Sequence, residues 1–335
     1  MAIKAFFSSF PSKHFGQLAI KGKKGFLFTT LAVLVVLAIV IFSSAQDRLY
    51  SRTLAQTGRI HTMDSYLSNL EDDLPRAAYI AAFRSLIGME EHISTNGTYI
   101  TDFDAVFTSM FVNGTINGTF YGIMNDSTFT NFSQRFATIT SQQGMRATLT
   151  VIAVNASQSN PWYIDLRATI RVELQDMAGT ASFNNTLAIF TSVPVTDIKD
   201  PIYSVGTQGR SPHVIKQSSV SAPYILANND TSALQVLVNQ TFYIESAQAP
   251  SFIQRFTGNF SASPYGIQSL VNIEELEAQD IAIDTCKSVV VYLYFSNTSD
   301  TTYSIVNMDP SSFWLDDPHL ADYDALGKVV ATKCP

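Results

Sequence analysis

The sequence has little charge and little cysteine. Charged side chains make up 15% of its 335 residues, against about 25% in an average globular domain. Much of the surface must therefore be Ser, Thr, Asn and Gln. The two cysteines, Cys286 and Cys334, lack any metal-type spacing. No His-Glu-x-x-His run, no Gly-x-Ser-x-Gly elbow and no phosphate-binding Gly loop occurs. No catalytic residue, cofactor or metal site is assigned on motif grounds, and the chain reads as a non-enzyme. Basic side chains are scarce too. Five of them (Lys4, Lys13, Lys21, Lys23 and Lys24) precede a single apolar run, and 16 remain after it against 28 acidic ones. That balance excludes nucleic acid as a partner, because phosphate neutralisation needs clustered Lys and Arg. Internal repeats are absent.

What the chain does have is Asn-x-Ser/Thr. The acceptors are Asn96, Asn113, Asn117, Asn125, Asn131, Asn155, Asn184, Asn229, Asn239, Asn259 and Asn297, and none has Pro in the middle position. The chain holds seventeen asparagines in all. Ser and Thr are roughly a fifth of residues, so chance alone would give about three or four such triplets. All eleven follow the apolar run Phe26–Phe42. Their excess and one-sidedness predict an N-glycosylated body outside the cytoplasm, with the lysine-bearing N-terminus inside.

Phe26–Phe42 is seventeen residues without a charge. As a helix it spans about 25 Å, at the short end for crossing a lipid bilayer. Arg48, Arg52 and Arg59 follow it, so the positive-inside bias is modest. Two processing routes compete with a plain anchor. Ser43-Ser-Ala45 offers small residues to a signal peptidase, which would release a secreted protein. The second, a cut between Gly25 and Phe26, is implied only by the resemblance of Lys24-Gly25-Phe26-Leu27 to the cleavage site of archaeal type IV prepilins.

Beyond the anchor, only Gly58 interrupts the helical pattern before Leu74. Ile60, Met63, Leu67, Leu70 and Leu74 form a seam at alternating spacings of 3 and 4. A short coiled coil and a helix packed on its own sheet both account for it, the second more simply. Glu71-Asp-Asp73 and Pro75 predict a break and a restart. Short helices are expected around 102–110 and 127–138, with Phe103, Phe107, Phe111, Phe120, Phe129, Phe132 and Phe136 as a core layer. Residues 162–174 alternate apolar and polar, the signature of a strand with one wet face. With 147–154 and 181–195 they predict a three-stranded antiparallel meander. Later, helices are expected at 230–239 and 268–279 and a buried strand at 288–296.

The fold class is thus α+β. A transmembrane helix continues into a long amphipathic helix and then an ectodomain built on an antiparallel meander. The expected division is 1–25 cytoplasmic N-terminus, 26–43 membrane helix, 44–94 exterior helices, 95–200 sheet lobe and 201–335 second α+β lobe, with 200–223 between the lobes.

Lys24-Gly25-Phe26-Leu27 resembles the cleavage site of archaeal type IV prepilins, although Thr30 stands where many pilins carry Glu. Lys199-Asp-Pro-Ile-Tyr203, Ala262-Ser-Pro-Tyr-Gly-Ile267 and Tyr294-Phe-Ser-Asn-Thr298 look like segments of uncharacterised archaeal membrane-anchored, type IV pilin-like surface proteins. The resemblance implies cell-surface residence and a pilin-like build, and no catalytic residue.

Three further readings concern particular side chains. Cys286 and Cys334 would close a 48-residue loop worth about 4 kcal/mol of unfolded-state entropy; the alternative is two unpaired thiols. Glu90-Glu91-His92 places a histidine at the negative end of a helix dipole. Asp316, Asp317, Asp322 and Asp324 beside His319 could ligate calcium, or simply decorate a water-exposed helix behind Pro318. The function expected is a structural or assembly role, as a pilin-like subunit associating through its N-terminal helix. The alternative is an anchored binding or adhesion ectodomain for a carbohydrate or envelope partner.

Overall fold

The computed structural model describes residues 23–298 and 301–332. Lys4, Lys13, Lys21 and Cys334 lie outside the described residues. So does one end of the expected Cys286–Cys334 bridge. The chain divides into two compact units, one ending at Ile60 and one beginning at His61. Helix α1 is assigned to Lys23–Asn96. Gly25 and Phe26 fall in its first turns. In the first unit the apolar stretch runs Phe28–Asp47, and none of it is buried. Its side chains project as bare hydrocarbon, with Phe28 at 74% and Phe42 at 67% exposure. Among the described residues it is the one helix long and apolar enough to cross a membrane.

The second unit begins on the part of α1 that has an apolar face. Met63, Leu67, Leu70, Leu74, Ala78, Ala81 and Ala82 are all buried and belong to one cluster with the inner face of the main sheet. The seam is consumed inside the molecule, and Ile60 is left exposed. The break expected at Pro75 is absent, since Pro75 lies inside α1. A proline there removes one backbone bond and costs about 3 kcal/mol. Leu70, Leu74 and Ala78 on either side are almost fully buried; at roughly 1.5–3 kcal/mol per large buried apolar side chain, that packing outweighs the loss.

α2 (Phe103–Asn113) starts where the Asp102 side chain accepts from the Ala105 N–H, and stops at Gly114 in the left-handed region. A two-residue hairpin, β1 (Thr115–Ile116) with β2 (Thr119–Phe120), leads to α3 (Phe129–Gln142), capped by Thr128. Phe103, Phe107, Phe111 and Phe129 stack in sequence at 5.7, 6.3 and 5.8 Å between ring centroids. Phe132 and Phe136 pack partly buried against them. Phe120 is the exception to the expected layer and is 53% exposed.

The main sheet is antiparallel with order β3–β4–β5: Met145–Asn160, Tyr163–Asp176 and Ser182–Pro194. Ile164, Leu166, Ala168, Ile170, Val172 and Leu174 on β4 are all nearly inaccessible. Arg167, Arg171 and Glu173 face water. This period-2 pattern fixes the register, because a one-residue slip would exchange the two faces.

The remaining elements are short. They are α4 (Pro201–Gly206), α5 (Ser232–Gln240), β6 (Ile244–Glu245), α6 (Phe252–Phe256), β7 (Ile267–Gln268), α7 (Ile273–Ala278), α8 (Val291–Tyr294), β8 (Thr302–Ile305), β9 (Trp314–Asp316), α9 (Asp317–Asp322) and β10 (Val329–Thr332). β10, β8 and β9 form a second small antiparallel sheet over a second buried cluster. The strand expected at 288–296 is instead a single bridge from Val290 to Leu270 followed by α8. The segment is buried as expected, but a short, continuously apolar run has no periodicity to tell strand from helix. The helix expected at 268–279 is confined to α7, because Ile267 and Gln268 pair with β6. Residues 200–223 are not an exposed tether. Asp200, Ile202, Tyr203 and Ile215 are all fully buried.

Candidate functional surface

The eleven acceptor asparagines all lie in the unit beginning at His61, and none is buried. Nine are exposed; Asn131 and Asn229 are half-buried. Local chemistry puts them there, since Asn, Gly, Ser and Thr favour helix ends and turns. Asn96 and Asn113 are the last residues of α1 and α2. Asn117 and Asn229 adopt left-handed backbone, at φ 50° and 63°, which Asn tolerates better than most side chains. Asn155 and Asn184 stand on the wet face of the main sheet, opposite Arg167 and Glu173. Asn259 folds its own triplet into a turn, its Oδ1 accepting from the Ser261 N–H at 3.0 Å and hydroxyl at 2.7 Å.

The acidic group near the C-terminus does not converge. Asp316 is buried; its Oδ1 accepts from the Ser288 hydroxyl at 2.5 Å, and its Oδ2 lies 2.6 Å from His319 Nδ1. His319 Nε2 in turn meets the Tyr292 hydroxyl at 2.8 Å. Asp322 accepts from Ser246 and Gln268, and Asp324 from the Tyr224 N–H at 2.9 Å. Asp317 is exposed in the first turn of α9. Among the described residues no group of three or more His, Cys, Asp or Glu side chains is arranged to hold a metal ion. The calcium reading is therefore dropped; the alternative holds for α9 with its proline start and exposed Asp317, but not for Asp316 and His319, which are 1% and 2% exposed. Burial by itself would raise the Asp316 pKa. The His319 hydrogen bond and charge, with help from Ser288, bring it below the ordinary value.

His92 likewise does something other than expected. Its Nδ1 sits 2.5 Å from the Tyr121 hydroxyl, and its ring meets that tyrosine edge-on. Glu90, two residues earlier, is buried. It accepts from the Ser204 hydroxyl at 2.6 Å, with the Lys199 ammonium at 3.8 Å. Desolvation raises its pKa in spite of both partners.

The arrangement that sequence reasoning missed lies around Asp200 and Arg255, each 0% exposed. One Asp200 oxygen accepts from Arg255 Nη1 at 2.5 Å and from the Tyr243 hydroxyl at 2.8 Å; the other caps α4 through the Ile202 N–H at 2.9 Å. Arg255 Nη2 donates to the Ile267 carbonyl. Tyr203, beside it, packs on the His213 and Phe295 rings at 4.1 and 5.3 Å. Burial, with the negative charge of Asp200, drives the phenols of Tyr203 and Tyr243 well above their ordinary pKa. The three segments quoted from the sequence (199–203, 262–267 and 294–298) thus meet here through Asp200, Ile267 and Phe295. Gly266 belongs to the same region, and an added Cβ would lie 2.1 Å from the Ala249 carbonyl oxygen. Their common role is packing. Sealed from water, the cluster offers no approach to a substrate.

One cavity of about 230 Å³ opens near the second cluster. Val238, Val271, Ile273, Met308 and Phe313 line it together with Gln235, Asn239, Asn272, Glu274, Asp309 and Ser312. Comparison with known proteins finds no matching family model, no similar curated protein and no similar solved structure.

Proposed function

We propose that this chain is a single-pass cell-membrane protein with a short cytoplasmic N-terminus and a large N-glycosylated extracellular body. In this reading its role is structural, as a pilin-like subunit or an anchored surface protein. The observation that carries it is the contrast between the two units. Phe28–Asp47 buries none of its apolar surface, whereas the apolar face from Met63 to Ala82 is buried within its own unit. Bare hydrocarbon of that length needs lipid or other helices as a solvent. The acceptor asparagines add the direction, since all eleven are reachable from solvent on the other side of that stretch.

A pilin-like role adds two elements: the membrane helix runs on into the exterior helix, and a cut after Gly25 frees Phe26 as the new N-terminus. Self-association would then use the apolar stretch, because Met63, Leu67, Leu70 and Leu74 are already engaged. A Cys286–Cys334 bridge would pin the C-terminal tail. N-terminal sequencing of the native protein tests this reading. Phe26 supports the pilin-like subunit, Met1 or Ala2 a fixed anchor, and Gln46 a secreted module that removes the anchor altogether. Protease shaving of intact cells that leaves the body untouched would overturn the topology.

The second reading, a binding ectodomain, draws on the 230 Å³ cavity. A lining that mixes apolar side chains with amides, two carboxylates and a hydroxyl suits a sugar ring, which has a C–H face and a hydroxyl edge. Titration with simple hexoses and N-acetylhexosamines, followed through amide shifts of Asn272 and Ser312, tests it.

A further inference from the structure

The main sheet has two edges, and they are treated differently. Along β3, α3 packs against the strand, and register shifts at Val151/Ala153 and Ser157/Asn160 interrupt it. Among the described residues no helix packs on β5 as α3 does on β3, and no register shift interrupts its pairing. β4 and β5 pair without a break from Tyr163↔Pro194 to Gln175↔Ser182. Among the described residues no strand pairs with the outer side of β5. Its thirteen residues, Ser-Phe-Asn-Asn-Thr-Leu-Ala-Ile-Phe-Thr-Ser-Val-Pro, include no charged side chain, and the one proline is terminal. Thr186-Leu-Ala-Ile-Phe-Thr191 is uncharged, proline-free and mostly β-branched, aromatic or aliphatic, the composition that stacks into cross-β assemblies. Native edges are normally blunted by charge, proline, bulges or cover.

One device remains. The Asp176 N–H donates to the Ala181 carbonyl and the Val195 N–H to the Trp162 carbonyl, each at 3.0 Å, so odd-numbered residues here turn their N–H and C=O toward β4. Even-numbered residues of β5 therefore direct their N–H and C=O away from the sheet, since this direction alternates along an antiparallel strand. Asn184 shares that parity, and its side chain is exposed. We propose that a glycan on Asn184 guards this edge against strand addition by a second copy of the chain. The inference rests on the glycosylated-surface reading above. In the attachment step, Asn184 Nδ2 forms the bond to the anomeric carbon of a lipid-linked oligosaccharide. The lipid phosphate leaves with the electron pair, and the amide gives up one proton. A branched, hydrated chain rooted on the outermost strand occupies the volume an incoming strand would need. The guard has to be steric because the edge carries no charge of its own.

The test compares the full-length wild type with Asn184→Gln and Asn113→Gln, each extracted in detergent from the native host. Glycopeptide mass at Asn184 and sedimentation over a range of concentrations are measured. The expected result is a sugar on wild-type Asn184 and a several-fold rise in concentration-dependent larger species for Asn184→Gln alone. Ala188→Lys in the Asn184→Gln background, which puts a charge on the same edge, should return the distribution to that of wild type. If Asn184 is glycosylated and Asn184→Gln sediments as wild type, the guard is refuted while the glycosylated reading stands. Equal association of Asn113→Gln refutes it too, as a general loss of solubility. Bare asparagine at all eleven positions refutes the glycosylated reading, and the guard with it.

Discussion

Replacing Arg255 with Met should be among the most damaging single changes in the unit that begins at His61. Met has a similar length and keeps most of the apolar contact, so the loss is chiefly electrostatic. The change deletes the Nη1 bond to Asp200 at 2.5 Å and the Nη2 bond to the Ile267 carbonyl. Asp200, with no accessible surface, keeps only the Tyr243 hydroxyl and the Ile202 N–H. Breaking one side of a buried ion pair typically costs 3–5 kcal/mol, because the other charge is left uncompensated. The orphaned Ile267 carbonyl adds about 1–3 kcal/mol. Arg255→Lys should fall between wild type and Arg255→Met, since one ammonium cannot span Asp200 and Ile267 with two planar donors. The strongest check is the double variant Asp200→Asn/Arg255→Met. If the pair is coupled as the geometry implies, the double variant is more stable than the sum of the single losses allows, by at least about 1 kcal/mol. Urea denaturation followed by tyrosine and tryptophan emission measures all four proteins. A loss below about 1 kcal/mol for Arg255→Met, or strict additivity in the double variant, would refute the assignment of this pair as the body's electrostatic anchor.

Glu90 gives a pH signature. Its folded pKa is raised above 4.5 by desolvation, so the folded state holds this proton more tightly than the unfolded one. Stability must then fall as pH rises from about 4.5 through the folded value; Glu90→Gln should flatten that fall in denaturation curves taken between pH 5 and 8, and a slope identical to wild type would contradict it. Asp316 has the opposite sign. Its folded pKa is lowered, with burial outweighed by His319, so its contribution is present above 3.8 and lost as pH drops through the folded value. Asp316→Asn should lessen the acid sensitivity of unfolding below pH 4, read from Trp314 emission two residues away. Gly266→Ala should destabilise through its clash with the Ala249 and Ser246 carbonyls at 2.1 and 2.3 Å; wild-type stability would mean that the loop has room to move. Cys286→Ser should lower stability by up to about 4 kcal/mol if the 48-residue loop is closed, and a non-reducing peptide map lacking a Cys286–Cys334 pair would exclude the bridge.

Much of the body was legible because its signals are local and periodic. Strict alternation from Trp162 to Leu174 specifies a half-buried strand whatever surrounds it. The phenylalanines from Phe103 to Phe136, spaced mostly three or four apart, specify helix faces. Asn-x-Ser/Thr triplets need only a turn or a helix end to reach the surface, so their exposure follows from composition. The uncharged apolar run identifies itself by length. Tertiary packing decided the rest, because the relevant free energies come from partners distant in sequence. Pro75 should end a helix by its own chemistry, yet the buried face from Leu70 to Ala82 carries α1 through it. Val289–Phe295 had no periodicity to read, and neighbouring elements chose a bridge and a short helix. Nine residues containing four carboxylates left a metal site and an exposed acidic helix both open, but Ser288, His319, Ser246, Gln268 and Tyr224 each draw one carboxylate away from the others. Asp200 and Arg255 are 55 residues apart, and no spacing rule connects them. A buried charge must find its opposite, but only the folded chain determines where that opposite lies.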